Sequence, residues 1–545
     1  MARKRMSYAD HAWLRMDQPD NLMIITGMMT CDAPLELAEL KAKIALMVLR
    51  FRRFRQRMRA SRLPFRRPYW EDDPNFDLDA HVQPITLPEP ADKRVLQELI
   101  SLIMGRPLDY DRPLWMFYLV ENYLGGSALI GRMHHSIADG IALMQVLLSM
   151  TELSPPVGPA DGPETDGAQP ETAPPTKLLP RTSQTAAVDT SEWALHDLID
   201  EGRKLLADRE YARLRARQGF KFAAAVGRVA LRWPDPPSLF KGPLSTSKRA
   251  AWSEPIDLAQ VKQIGKSLQA TVNDVLLATL AGALGRYLDE VDPQAELQKI
   301  RGIIPVNLRP LELDDDLGNK FGLVFLSLPI GVADPLERLL RVKKNMDDLK
   351  SSVEPAATFV VLNVLGAMPD PVEELATRFF DTKGTAIITN VPGPQMPLYL
   401  TGVRIKNLMA WVPQSSRISL GMSLISYDGQ VWLGVATDEG LVPDPETIVA
   451  NFQLEFDALC ASEPNLPDQA AEGLATLQPA LARLESAMDK LDALLAEGKG
   501  VSADGADPQA APQDIPQETP QETPQDTPQD TPQDTPQDPA ASSEA

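Results

Sequence analysis

Two adjacent imidazoles, His134 and His135, are followed at short spacing by an acid and a glycine in the stretch His134-His135-Ser136-Ile137-Ala138-Asp139-Gly140. Histidine has an unperturbed pKa of roughly 6.5, so near neutral pH it can take up a proton and return it, as a general base must. The chain has only five histidines in 545 residues. These two sit between an apolar, β-like run at residues 127–133 and an apolar, helix-like run at 141–150, which predicts a strand-to-loop edge. Neighbouring residues of an extended chain point to opposite faces, so one imidazole can face a reaction channel while the other packs inward. The dipeptide alone also allows a surface pair, or two hydrogen-bonded packing residues. Cys31 and Cys460 have no histidine close in sequence, so a covalent cysteine route has no support.

The elements that position such a site come from two folded segments. A chain of 545 residues exceeds one ordinary core, and about 100–200 residues per domain suggests two or three units plus tails. Segments 8–151 and 251–461 each mix helical periods (35–49, 271–288) with β-like runs (127–133, 323–329, 430–436). That mixture predicts α/β sandwiches facing each other across a cleft. Residues 154 to about 191 are rich in Pro, Gly, Ala and Thr and read as a linker; from about 501 a Pro-Gln-Asp/Glu-Thr unit repeats and cannot bury a core. The expected division is 1–153, a first half with the histidines; 154–250, a disordered linker and basic amphipathic helix; 251–465, a second half; 466–500, a heptad-like helix; and 501–545, a disordered repeat tail.

In the basic segment, 191–233, Arg203, Lys204, Arg213 and Arg217 are among nine cations interleaved with Leu, Phe, Val and Trp. Such a helix either lies on an anionic lipid surface or packs on its own domain with solvated arginines. Leu474, Leu477, Leu481, Leu484, Met488, Leu491 and Leu495 form a heptad seam, as a coiled coil or a docked terminal helix; Pro479 favours the second.

Composition narrows the classes further. The chain is 43% hydrophobic and 24% charged, as in soluble globular proteins. Its net charge is −21; nine acids and no cation follow residue 505, which still leaves −12 for the rest and argues against nucleic acid. The longest apolar run, 321–332, contains Pro329 and falls short of the roughly 20 residues of a membrane span. Two cysteines indicate a reducing compartment. The basic N-terminus lacks the apolar run of a signal peptide, so a cytoplasmic location is expected.

H-H-x-x-x-D-G resembles the active-site motif of the CoA-dependent acyltransferase superfamily, which includes chloramphenicol acetyltransferase and the condensation domains of nonribosomal peptide synthetases. Over residues 6 to about 461 the chain more specifically resembles the bacterial wax ester synthase/diacylglycerol acyltransferase family. The matching pieces occur in the family's order: Asp10-His11-Ala12-Trp13-Leu14-Arg15, Pro113-Leu114-Trp115, the histidine motif, Asn273-Asp274, Pro305-Val306-Asn307-Leu308-Arg309, Leu317-Gly318-Asn319 and Thr389-Asn390-Val391-Pro392-Gly393-Pro394. Asn307 and Thr389 stand where family members commonly carry serine, and both keep a hydrogen-bonding side chain.

The resemblance implies an α/β fold of two chloramphenicol-acetyltransferase-like sandwich halves with a substrate tunnel between them. It implies that His135, beside His134, is the catalytic base, that Asp139 forms a structural ion pair with an arginine, and that Gly140 leaves space at the site. Arg55, Arg57 and Arg309 are candidate partners for Asp139. Asn273 and Asp274 are suitable helix N-cap residues; together they resemble the family's Asn-Asp motif, which implies an active-site role for the pair, with the asparagine facing the histidine loop. The implied reaction moves a long-chain acyl group from acyl-CoA, a co-substrate, to diacylglycerol or a fatty alcohol, without metal or cofactor. Peripheral association with the inner membrane or lipid inclusions is expected, and a homo-oligomer is allowed. The alternatives are a related enzyme with another alcohol acceptor and an inactive lipid-droplet surface protein. A condensation domain fits less well, since no carrier or adenylation module accompanies the body.

Overall fold

The computed structural model describes residues 4–61, 67–154, 227, 232–295, 298–307, 319, 321–350, 358–359 and 382–462. All of them lie in one compact unit, 1–469. The heptad-spaced segment 466–500, the repeat tail 501–545 and most of 154–250 lie outside the described residues.

Two large sheets organise the unit. The first runs β13(Tyr399–Leu400)-β14(Val403–Trp411)-β2(Ile24–Cys31)-β7(Gly126–His134)-β6(Trp115–Tyr123)-β5(Val82–Ile85). The second runs β11(Phe321–Leu328)-β10(Ile300–Asn307)-β12(Ala386–Pro392)-β15(Leu420–Tyr427)-β16(Gln430–Asp438)-β8(Lys248–Trp252), with β9(Ile256–Asp257) also on β16. A small sheet, β1(Lys4–Arg5)-β4(Tyr69–Asp72)-β3(Gln56–Arg59), stands apart. The helices are α1(Tyr8–Met16), α2(Leu37–Arg50), α3(Lys93–Met104), α4(Gly140–Ser149), α5(Leu258–Ser267), α6(Val272–Val291), α7(Pro335–Lys350) and α8(Pro445–Ser462).

The expected boundary at 250/251 is not where the sheets divide. It falls inside β8, and β14, from the C-terminal segment, pairs antiparallel with β2 from Ile405↔Cys31 to Trp411↔Thr26. A pattern-based division follows chain contiguity, whereas β2 needs a hydrogen-bonding partner on both of its edges. In the second half α6 packs on α7 and α8. Its face is apolar nearly all round and buried from Asp274 through Gly285, which accounts for its hydrophobicity as core helix. Gly282 lets the buried Arg338–Glu455 pair cross it, since a Cβ there would lie 2.3 Å from Glu455 Oε2. Among the described residues no single helix is long and apolar enough to cross a membrane.

Candidate active site

The histidine motif sits where its local pattern places it. β7 ends at His134, the register partner of Ile24, and the His135 backbone N–H continues the ladder by donating to Met23 O at 2.7 Å. Asp139 then caps α4, its Oδ1 accepting from Ala142 N–H at 2.9 Å. That bond satisfies one of the orphan donors of the helix start.

Strand alternation separates the two imidazoles. His134 faces inward: its Nδ1 accepts from Ser136 N–H at 3.1 Å, so the ring proton sits on Nε2, 3.5 Å from Asp17 Oδ1. Asp17 also accepts from the Tyr110 hydroxyl. His134 does not line the cavity that His135 lines, so the dipeptide divides into a packing residue and a site residue.

His135 is 9% exposed and stacks on Trp13, with ring centroids 4.2 Å apart and planes 15° from parallel. Its Nδ1 lies 3.0 Å from Asn319 Oδ1. The amide nitrogen of Asn319 is committed elsewhere, donating to Asp10 Oδ1 and to His135 O, each at 2.8 Å. Only the amide oxygen is left for the imidazole, so Nδ1 must carry the proton and Nε2 keeps its lone pair. Asp10 in turn faces Arg53 at 3.7 Å, and its backbone N–H donates to the hydroxyl of Ser7, the N-cap of α1, at 3.0 Å. Burial pushes the Asp10 carboxyl above the usual range, offset by Arg53 and the two Asn319 donors. Burial likewise pulls the His135 pKa down to about 4, against the smaller opposing effects of its own backbone, Asp139 and Asn319.

A cavity of about 990 Å³ opens beside this imidazole, lined by both halves of the unit. Gly140 faces it, and a Cβ there would meet nothing within 4 Å. Asn273 lines it from the second half, its Oδ1 accepting from Asn390 Nδ2 at 2.9 Å. Its own Nδ2 is thereby turned to donate. Thr389 and Asn307 also line the wall. Asp274 does not. It closes a capping box with Thr271, accepting Thr271 N–H at 2.8 Å, and is buried in the core. Of the arginines proposed for Asp139, Arg57 pairs with Glu71 at 3.1 Å and Asp73 at 3.5 Å; Arg309 lies outside the described residues.

The sequence assigned no site role to Asn319, Asp10, Arg53 or Trp13. Asp10, Trp13 and Asn319 stand inside stretches that match the family's order, the only signal one chain offered. Asn319 and Asp10 are 309 residues apart, and no periodicity couples positions that distant.

The model of the wax ester synthase/diacylglycerol acyltransferase catalytic domain matches residues 6–276, and that of the WS/DGAT C-terminal domain matches 317–460. A Mycobacterium tuberculosis H37Rv protein, provisionally named a diacylglycerol O-acyltransferase, is 30% identical over 75% of this chain and 86% of its own length. A second, from Mycobacterium bovis and similarly named, is 27% identical over 72% and 81%. Among solved structures, the wax ester synthase/diacylglycerol acyltransferase of Marinobacter aquaeolei VT8 superposes with a TM-score of 0.56 at 21% identity, over 84% of this chain and 98% of that one. The first condensation domain of the calcium-dependent antibiotic synthetase gives 0.52 at 15% identity, over 84% and 96%. These two likenesses establish a shared fold of two chloramphenicol-acetyltransferase-like halves.

Proposed function

The chain belongs to the wax ester synthase/diacylglycerol acyltransferase family and is an acyl-CoA-dependent O-acyltransferase, and from that premise we propose that it esterifies diacylglycerol, a fatty alcohol or both, with His135 as general base. The observation behind this reading is a buried imidazole, locked with Nε2 free by Asn319, on the wall of an apolar cavity of about 990 Å³.

The reaction is direct transfer. His135 Nε2 removes the acceptor's hydroxyl proton as its oxygen attacks the thioester carbon. The tetrahedral intermediate collapses with loss of the C–S bond, and the proton passes from Nε2 to the departing sulfur, giving ester and free CoA. Atoms balance with acyl-CoA and alcohol alone, so no cofactor enters. Asn273 Nδ2 is the candidate donor to the oxyanion, and Asp139 acts by fixing the start of α4. The diacylglycerol acceptor is supported by the names of the mycobacterial relatives, and the fatty alcohol by that of the Marinobacter enzyme. Both are apolar enough for the cavity.

The low pKa of His135 sets the pH dependence. The imidazole is neutral, and competent as a base, at every pH above about 4. Protonation as pH falls through that value removes the lone pair, so the acidic limb of kcat/KM, which reports the free enzyme, is expected near 4 rather than at the ordinary 6.5. A limb at 6.5 or above in a pH–rate series would contradict a dry, unprotonated site.

Substrates this apolar reside in lipid phases, and the protein is proposed to work at a membrane or inclusion surface. Trp233, at the end of the basic segment, is 82% exposed, the disposition of an interfacial anchor. Trp233→Ser is expected to reduce co-flotation with triacylglycerol emulsions containing anionic phospholipid; equal flotation would remove this residue from the contact. The function itself is tested by offering palmitoyl-CoA with hexadecanol or dipalmitoylglycerol to the purified protein and following ester and CoA together. Ester with equimolar CoA is expected, and the relative yields rank the acceptors. CoA release without ester from either acceptor would reject both.

A further inference from the structure

One wall of the cavity is a row of side chains across the first sheet. Ala410, Gly27, Gly131 and Phe117 are successive register partners on β14, β2, β7 and β6, so they share a face. Leu143 and Leu147 of α4 line the cavity with them. Two of these residues are glycines, for different reasons. At Gly131 packing demands it, because a Cβ would lie 2.8 Å from the ring of Phe117. At Gly27 nothing among the described residues does. The nearest atom to a Cβ there is Met409 O at 3.7 Å, an ordinary contact, and the backbone is not in the left-handed region. Glycine inside a strand also weakens it relative to alanine. Among the described residues the fold would accept a side chain at Gly27, and that side chain would enter the cavity that Gly27 lines. Interiors are otherwise packed to crystal density, and an apolar void stays dry and takes apolar guests.

We infer that Gly27 sets how far an unbranched alkyl chain extends into the part of the cavity lined by this row of the first sheet and by Leu143 and Leu147 of α4. The inference rests on the acyl-transfer reading above and names the residue that governs chain length in it. Gly131, the partner of Gly27, precedes His135 by four residues, roughly 13 Å at about 3.3 Å per residue. A side chain on Gly27 therefore misses the reacting atoms and meets the distal part of a long chain. The chain belongs to the acyl donor or to the alcohol, and two substrate series separate these.

The test uses full-length Gly27→Leu and Gly27→Ala. In one series kcat/KM is measured for butyryl-, octanoyl- and palmitoyl-CoA with a fixed acceptor; in the other, for butanol, octanol and hexadecanol with a fixed donor. The ratio of long-chain to short-chain kcat/KM is expected to fall at least about tenfold in Gly27→Leu, since one methylene in an apolar pocket already changes selectivity by about that factor. Gly27→Ala should show a smaller fall in the same series. The series that responds identifies the chain as the donor's or the acceptor's. Ratios unchanged in both series for a folded, active Gly27→Leu overturn the inference. Should that variant not fold, Gly27→Ala decides, because its methyl group fits, and an unchanged pair of ratios again overturns it. Absence of ester from the unaltered protein with every pair would instead strike the acyl-transfer reading, and this inference with it.

Discussion

Replacing His135 by alanine is expected to lower kcat by about 10²–10⁴-fold, the usual contribution of a positioned general base, with little change in KM. Three observations set the size of that effect. The imidazole is the motif's cavity-lining ring, since His134 faces away, and it is held at two places: Trp13 stacks on its face and Asn319 Oδ1 accepts from its Nδ1–H. It is also neutral in its buried setting, so the full population is competent at neutral pH. The remaining activity would come from holding alcohol and thioester together in one cavity. Folding of the variant is checked by its circular dichroism and melting transition, because the alanine leaves Asn319 Oδ1 without its ring partner. A folded His135→Ala protein with kcat within threefold of the parent would exclude this residue as the base. The paired variant His134→Ala is expected to act mainly on stability, through the Asp17 and Ser136 contacts.

Asn319→Ala is expected to cost on the order of 10² in kcat, the scale of loss when a reacting group is no longer held in its productive geometry. Asn319 is a positioning residue. It decides which ring nitrogen of His135 is free, and it does so because Asp10 and the His135 carbonyl occupy its own amide nitrogen. Without it the Nδ1–H loses its acceptor, and the Nε2–H tautomer, which cannot accept a proton, becomes populated. A purely structural role would lower stability and leave the tautomer alone. Nitrogen-15 spectra of ring-labelled histidine, in a chain with five histidines, distinguish the two. The parent should show His135 protonated at Nδ1, and Asn319→Ala should show a mixture. An Nε2-protonated His135 in the parent would sink the argument regardless of the kinetics. Asp10→Ala should disturb the same tautomer more weakly and destabilise the fold by about 1–3 kcal/mol, since two buried Asn319 donors lose their acceptor.

Much of the site was legible locally. The apolar runs on either side of the histidine motif foretold a strand edge and a helix. They form β7 and α4 with Asp139 as N-cap. Thr271 through Asp274 likewise read as a helix start, and the capping box is there. The same locality misled at Asp274, where adjacency to Asn273 suggested a shared role. Successive residues on a helix are about 100° apart, and here one lines the cavity while the other is buried in the core. Treating the halves as contiguous segments failed for a related reason, since the edge of β2 is completed by residues 403–411.

By itself the sequence determined the local geometry: that the two histidines turn to opposite faces, that a helix starts near Asn273, and, through the order of its motifs, the family. Those features depend on backbone periods of two and 3.6 residues and on capping bonds spanning three or four positions. Only the tertiary structure decided that Asn319, 184 residues from His135, fixes its tautomer, that Asp10, facing Arg53, holds Asn319, and that Gly27 lines the cavity. Each of these depends on which side chains packing brings within about 3–4 Å across sheets and helices, a distance that no spacing along one chain encodes.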